Sequence, residues 1–173
     1  MKRSLLASSL ALACSPALQA ASFDYPLFGG DPLTPQQWHL KNTGQSGFSQ
    51  SNGTQGNDLN LDFAHAMGIK GRGITVAVID TGLQIDHPDL SNNVVPGSLN
   101  FADGSAYPTD SNGHGTSVGG LVAAVEGNHI GGRGVSPLAS LIGFNFLSHQ
   151  SLGNWAISHG GYNGIGNVKF TDA

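Results

Sequence analysis

The stretch Ile-Thr-Val-Ala-Val-Ile-Asp-Thr-Gly at residues 74–82 decides the fold. It begins after Gly73 with six residues, of which five are apolar and five are β-branched. Such a run is typical of a parallel strand covered on both faces, so we expect a buried strand over residues 74–79. The run stops at Asp80, and the Thr-Gly that follows indicates a turn at the carboxyl end of the strand.

The segments around this strand predict a parallel α/β unit. Small and apolar residues over 115–125 predict a helix that packs closely, because its glycines and alanines leave little side chain between backbones. A second apolar run predicts a strand over 139–147, and strand, helix and strand in this order imply a parallel sheet. We also expect a short helix over 59–67, a short strand over 99–101 and a loop-rich arm over 21–58.

Composition excludes several classes of protein. Only 10% of the 173 residues are charged, 26 are glycine, and the formal net charge is −4. The low charge and the many glycines exclude a coiled coil. The negative charge argues against a nucleic-acid partner. No apolar run is long enough for a transmembrane span.

Residues 1–20 are predicted to be a secretory signal peptide. Lys2 and Arg3 precede a short apolar stretch, and small residues follow up to Ala20. This order is typical of export signals, so we expect a secreted or periplasmic protein. Cleavage would remove Cys14, the only cysteine, and would leave no disulfide. A buried N-terminal helix and a lipid anchor at Cys14 are the alternatives.

Two side chains stand where catalysis would need them. Asp80 follows the predicted strand, and functional groups gather at the carboxyl ends of parallel strands. His114 lies between Gly113 and Gly115 at the start of the predicted helix, where the glycines allow another backbone to approach. Taken alone, Asp80 is equally well interpreted as an ordinary turn residue. His114 alone is equally well interpreted as an ordinary polar residue. Asp-Thr-Gly is also the core triplet of aspartic peptidases.

The segment 84–90 carries Asp86, His87 and Asp89. An Asp/His metal site is one interpretation, although the spacing matches no zinc pattern. A structured turn that holds the Asp80 loop is the other. The remaining histidines are interpreted as ordinary polar residues, namely His39, His65, His129, His149 and His159.

Together these segments resemble the subtilase family of serine endopeptidases. The resemblance rests on AVIDTG (77–82), HPDL (87–90), NGHGTSVGGLVAA (112–124) and GVSP (134–137). The early segment DPLTPQQWHLKNTG (31–44) is similar to the start of the catalytic domain in the kexin-like branch. The resemblance implies an α/β, subtilisin-like three-layer fold with a parallel central sheet, here truncated after the second motif region.

The resemblance also implies an Asp-His-Ser triad that cleaves polypeptide substrates. Asp80 would orient the imidazole of His114, and His114 would act first as general base and then as general acid. The aspartic peptidase interpretation is dropped, because such an enzyme does not need the His-Gly-Thr at 114–116.

The nucleophile of the family lies in a Gly-Thr-Ser-x-Ala-x-Pro segment, which this sequence does not contain. Residues 115–119 spell Gly-x-Ser-x-Gly, but that motif needs a strand directly before its serine, where His114 stands. Ser117 is therefore not expected to be the nucleophile. We interpret residues 21–173 as the N-terminal portion of a subtilase catalytic domain, with 148–173 departing from the family pattern.

A structural calcium ion is implied by the same resemblance. Kexin-like members bind it between the early Asp-Pro, the aspartate of His-Pro-Asp and the loop after the histidine helix. Carboxylate, amide and backbone carbonyl oxygens suit this cation. The matching positions are Asp31, Asp89, Val125, Asn128, Ile130 and Gly132.

Two functions follow from the sequence. The first is a secreted serine endopeptidase of which this chain carries the Asp and the His. The alternative is a truncated, catalytically inactive relic that still binds calcium or binds nothing. We expect residues 1–173 alone to be inactive and poorly soluble, and a nucleophile segment encoded downstream would favour the protease.

Overall fold

The first four elements, a helix, a strand, a helix and a strand, follow one another in the order that the sequence predicts. This computed structural model describes residues 30–160. In chain order they are helix α1 (Asp62–Ala66), strand β1 (Thr75–Ile79), helix α2 (His114–Ala123), strand β2 (Ser140–Phe144) and helix α3 (Leu152–Ser158). Strands β1 and β2 pair in parallel, with Thr75 opposite Ser140 and Ile79 opposite Phe144. The predicted α/β class with a parallel sheet is confirmed.

The core lies between α2 and one face of this sheet. Leu83, Leu90 and Leu141 are fully buried there, and Val78 adds to the cluster. The buried residues of α2 that face them are Gly115, Gly119 and Ala123, and the partly buried Val118 and Val122 also pack against this core. The glycines and the alanine let the leucine side chains reach the helix backbone, and each buried leucine contributes about 1.5–3 kcal/mol.

The opposite face of the sheet is more open than the sequence predicts. Ala77 is exposed, and Ile79 and Ile142 are only half-buried. These residues and Phe144 line an open groove of about 530 Å³ that α3 borders through Trp155. The prediction that β1 is buried on both faces is therefore wrong for the described residues. Helix α2 covers one face, whereas the run of apolar residues is typical of strands covered by helices on both.

Three other predictions meet different outcomes. Residues 30–58 contain a single 3₁₀ turn at Thr34–Gln36, which confirms a loop-rich arm over that range. Residues 99–101 form no strand, because only Leu99 makes an isolated bridge, to Phe144.

The predicted signal peptide, with Cys14, lies outside the described residues. Among those described, no helix combines the length and apolar character that crossing a membrane requires.

Helix α3 is an element that the sequence patterns missed. Its first turn is capped by Ser151, whose hydroxyl accepts a hydrogen bond of 3.0 Å from the backbone N–H of Asn154. Serine is a preferred residue at this position, so a signal for the start of the helix was present. The helix has only seven residues, and its apolar side chains are too few to reveal a period.

Two glycines at α2 test this packing. At Gly120, inside α2, nothing lies within 4 Å of an added Cβ, so Gly120→Ala should raise the free energy of unfolding by about 0.5–1 kcal/mol through helix propensity. At Gly134 an added Cβ would lie 2.5 Å from the carbonyl oxygen of Val122 in α2. Gly134→Ala should therefore lower the free energy of unfolding by about 1–3 kcal/mol. Urea unfolding followed by circular dichroism measures both, and equal effects of the same sign would contradict the packing.

Candidate active site

Asp80 and His114 meet where β1 ends and α2 begins. The Nδ1 atom of His114 lies 2.7 Å from Oδ1 of Asp80. The backbone of Asp80 is fixed by the end of β2, because its N–H donates to Phe144 (3.1 Å) and its carbonyl accepts from Leu147 (3.0 Å). The carboxylate side chain is 15% exposed and the imidazole 62%. The carboxylate is thus shielded while the ring stays open to solvent.

Glycine makes this close approach possible. A Cβ at Gly115 would overlap the carbonyl oxygen of Gly82 and would lie 3.0 Å from Cβ of Asp80. Gly113, just before the helix, adopts a φ of 86°, which is left-handed and favours glycine. Gly115 therefore acts as the sequence predicts, by letting the start of α2 reach the turn after β1, whereas Gly113 has open space around it and is favoured by its φ.

The surroundings of Asp80 keep it ionised. Burial raises the pKa of Asp80, but hydrogen bonds from His114 and from the N–H of Thr81 (2.7 Å) outweigh it, and the pKa lies below its ordinary value. An ionised carboxylate beside Nδ1 favours the tautomer that carries its proton there. Nε2 of His114 is then the nitrogen that can accept a proton.

Asp110 is a second carboxylate at this place, and none of the sequence patterns pointed to it. It accepts hydrogen bonds from the hydroxyl of Thr81 (2.8 Å), the N–H of Gly113 (2.8 Å) and the hydroxyl of Thr116 (2.6 Å). Burial raises the pKa of Asp110, yet these donors lower it to about 2. The available signal was an aspartate just before a helix, where acidic residues are favoured.

Ser117 does not meet His114. Its hydroxyl donates to the carbonyl of Gly113 at 2.8 Å, one turn back along α2. In the described part of the chain, the hydrogen bonds of the His114 ring are confined to Asp80. The geometry agrees with leaving Ser117 out of the triad.

The segment 84–90 forms a hydrogen-bonded turn. Asp86 accepts from the hydroxyl of Tyr107 at 2.6 Å, and Nδ1 of His87 accepts from the N–H of Asp89 at 3.1 Å. Within residues 30–160, no group of three or more His, Cys, Asp or Glu side chains is placed to hold a metal ion. The Asp/His metal interpretation of this segment is therefore not supported.

The aspartates of the expected calcium site lie in one buried cluster. Asp31 and Asp89 are 3% and 6% exposed. The carboxylate of Asp31 accepts from the N–H groups of Gly127 (2.7 Å) and His129 (3.2 Å). Oδ1 of Asp89 accepts from the side-chain amide of Asn128 at 2.8 Å.

The three backbone positions of that site belong to the same loop. The N–H of Val125 donates to the carbonyl of Asp89 at 2.9 Å, and that of Ile130 donates to Oδ1 of Asn128 at 2.9 Å. Gly132 is hydrogen-bonded through its backbone to the Asp89 carboxylate. The fold thus gathers all the expected positions around two aspartates.

Among residues 30–160, no ion pair balances the negative charge of this cluster. Burial raises the pKa of Asp89, and the nearby charge of Asp31 raises it further against the hydrogen bond from Asn128. The ion pairs of the described residues join Lys41 to Asp62, Glu126 to Lys70 and Arg133, and His114 to Asp80. None of them involves Asp31 or Asp89.

Comparison with known proteins places the chain in a family. A model of the Subtilase family (Peptidase S8) matches residues 71–166. The "Aeromonas extracellular serine protease" of Aeromonas sobria is 53% identical over 126 residues, which are 71% of this chain and 20% of that protein. "Neuroendocrine convertase 2" of Bos taurus is 40% identical over 129 residues, or 70% of this chain and 19% of the relative.

Solved structures agree with this. The crystal structure of the serine protease of Aeromonas sobria superposes with a TM-score of 0.74 at 50% identity, covering 78% of this chain and 24% of that one. The chain spans about a fifth of the length of the relatives that it matches. Both the sequence match and the structural match show that the chain belongs to the subtilase family of serine endopeptidases.

Proposed function

We propose that the protein is an exported serine endopeptidase that hydrolyses polypeptides, with Asp80 and His114 as two members of its triad. The observation that carries this is the 2.7 Å hydrogen bond between His114 and Asp80 in a chain of the subtilase family. A shielded carboxylate against one ring nitrogen is the arrangement that makes an imidazole an effective base. Export is supported by the organisation of residues 1–20 and by the extracellular relative.

In the proposed reaction His114 moves the proton. Nε2 takes the proton of the serine hydroxyl as its oxygen attacks the peptide carbonyl carbon, and then gives that proton to the leaving amine. Asp80 holds the proton of Nδ1 in place and stabilises the imidazolium while it exists. The serine is proposed to come from outside residues 30–160, because within them the ring of His114 hydrogen-bonds to Asp80 and to no serine hydroxyl.

Substitutions at the pair and at Ser117 test this assignment. In the full-length gene product, His114→Ala and Asp80→Asn should lower kcat by about 10⁴-fold or more on a peptide substrate, because the first removes the base and the second leaves it in the wrong tautomer. Ser117→Ala is the matched control and should leave kcat unchanged. Near-normal turnover in His114→Ala, or a collapse of activity in Ser117→Ala, would show that the assignment is wrong.

Comparing the activity of residues 1–173 with that of a longer form distinguishes the proposed protease from the alternative, which is an inactive relic that binds calcium. By itself it should release no product above background, because an acyl-enzyme needs a nucleophile. Adding a downstream segment with Gly-Thr-Ser-x-Ala-x-Pro should restore hydrolysis. If both forms are inactive while the longer one is folded, the relic is favoured.

We further propose that one Ca²⁺ binds at the buried aspartate cluster. The carboxylates of Asp31 and Asp89 are buried and make no ion pair with another of the described residues, and a divalent cation would balance their charge. Carbonyl oxygens of Val125, Ile130 and Gly132 would complete the ligand set. The amide of Asn128 would have to turn over, since its Oδ1 accepts from a backbone N–H here.

Calcium titration tests this site without any assay of hydrolysis. Saturating Ca²⁺ should raise the free energy of unfolding by about 2.7 kcal/mol at a hundredfold excess over Kd, seen as a rise in Tm. Asp31→Asn or Asp89→Asn should abolish most of that rise. Asp103→Asn is the control, because Asp103 is exposed and accepts only from its own loop, at Ser105. An unchanged calcium response in both cluster variants would contradict the site.

A further inference from the structure

Asp110 has no role in the proposed reaction, yet it is tightly held. Its carboxylate accepts five hydrogen bonds. Two come from the N–H and the hydroxyl of Thr116 to Oδ2, at 2.8 and 2.6 Å. Three reach Oδ1, from the hydroxyl of Thr81 (2.8 Å) and the N–H groups of Gly113 (2.8 Å) and Asn112 (3.2 Å).

These donors belong to the two segments that carry the Asp-His pair. Thr81 directly follows Asp80 after β1, whereas Thr116 lies in the first turn of α2, which begins at His114. The hydroxyl of Thr81 also accepts from the N–H of Gly115 at 3.0 Å. One carboxylate therefore ties the residue after Asp80 to the residues around His114.

We propose that Asp110 is a positioning residue that holds Asp80 and His114 at hydrogen-bonding distance through Thr81 and the first turn of α2. This inference rests on the proposed function. Hydrogen bonds to an ionised carboxylate are about twice as strong as neutral ones. An asparagine offers a single acceptor oxygen, so it cannot hold the donors on both sides at once.

A simple helix cap would behave differently. If Asp110 only capped α2, its replacement would lower stability and leave the distance between Asp80 and His114 as it is. If it positions the pair, breaking the link at Thr81 should loosen the pair while the hydrogen bonds from Gly113 and Thr116 to Asp110 stay in place. Thr81→Val does this, because valine keeps the shape and the backbone N–H but lacks the hydroxyl.

The imidazole N–H that points at a carboxylate provides the readout, since its proton resonates far downfield of the amide region. In the folded full chain this signal is assigned to His114 by its loss in His114→Ala. Asp110→Asn and Thr81→Val should each broaden the downfield signal of His114 beyond detection or shift it upfield. Thr81→Ser, which keeps the hydroxyl, and Asp103→Asn should retain it. Amide resonances of α2 report whether each variant is folded.

The same variants should affect turnover in the full-length gene product. Misplacing the pair should lower kcat by about 10²-fold in Asp110→Asn and Thr81→Val, with KM unchanged. Thr81→Ser should recover most of the loss. A lower kcat with an unchanged KM is expected from an altered Asp-His geometry and not from weaker substrate binding.

The outcomes separate the two proposals. A downfield signal that stays unchanged in Thr81→Val and in folded Asp110→Asn would overturn the positioning role and leave the proposed protease intact. If Asp110→Asn does not fold, Thr81→Val decides alone. A signal that is missing from the unsubstituted folded chain would contradict the Asp-His pair itself, and both proposals with it.

Discussion

The close approach of the start of α2 to the turn after β1 is the constraint on which the rest of the structure depends. At Gly115 the helix backbone lies against the carbonyl of Gly82 with no room for a side chain. This contact brings the imidazole of His114 to the carboxylate of Asp80. It also lets Leu83, the next residue along, enter the core beneath Gly119. Packing and site geometry thus share one requirement.

The number of donors around each carboxylate decides its electrostatic state. Asp110 is partly buried but receives five hydrogen bonds, and its pKa falls to about 2. Asp89 is more deeply buried and has a second carboxylate, Asp31, as its neighbour, so its pKa is raised. Backbone amides and hydroxyls satisfy the first charge, whereas the second cluster places two carboxylates side by side with fewer donors to each. Cation binding is therefore proposed at the second cluster only.

The sequence predicted what local patterns encode. The apolar run of β1 and the small residues of α2 are local patterns, so the parallel unit could be predicted from them. The Asp80–His114 pair joins residues 34 apart and was expected from the resemblance of their motifs to a known family. Asp110 could not be predicted, because it lies outside those motifs and its role depends on Thr81, 29 residues away, being folded against it. The open face of the sheet could not either, since an apolar run does not tell how many helices cover it.

The alternation of side chains along β1 explains why the Asp-His pair does not depend on that open face. Val76 and Val78 point towards α2 and the core, whereas Ala77 and Ile79 point towards the groove. Asp80 continues the even-numbered side and therefore meets His114 on the face that α2 covers. A shift of one residue in β1 would turn Asp80 away and expose Val78 together with it. Burial of the valines and the position of the carboxylate are thus fixed by the same register, so core stability also maintains the geometry proposed for catalysis.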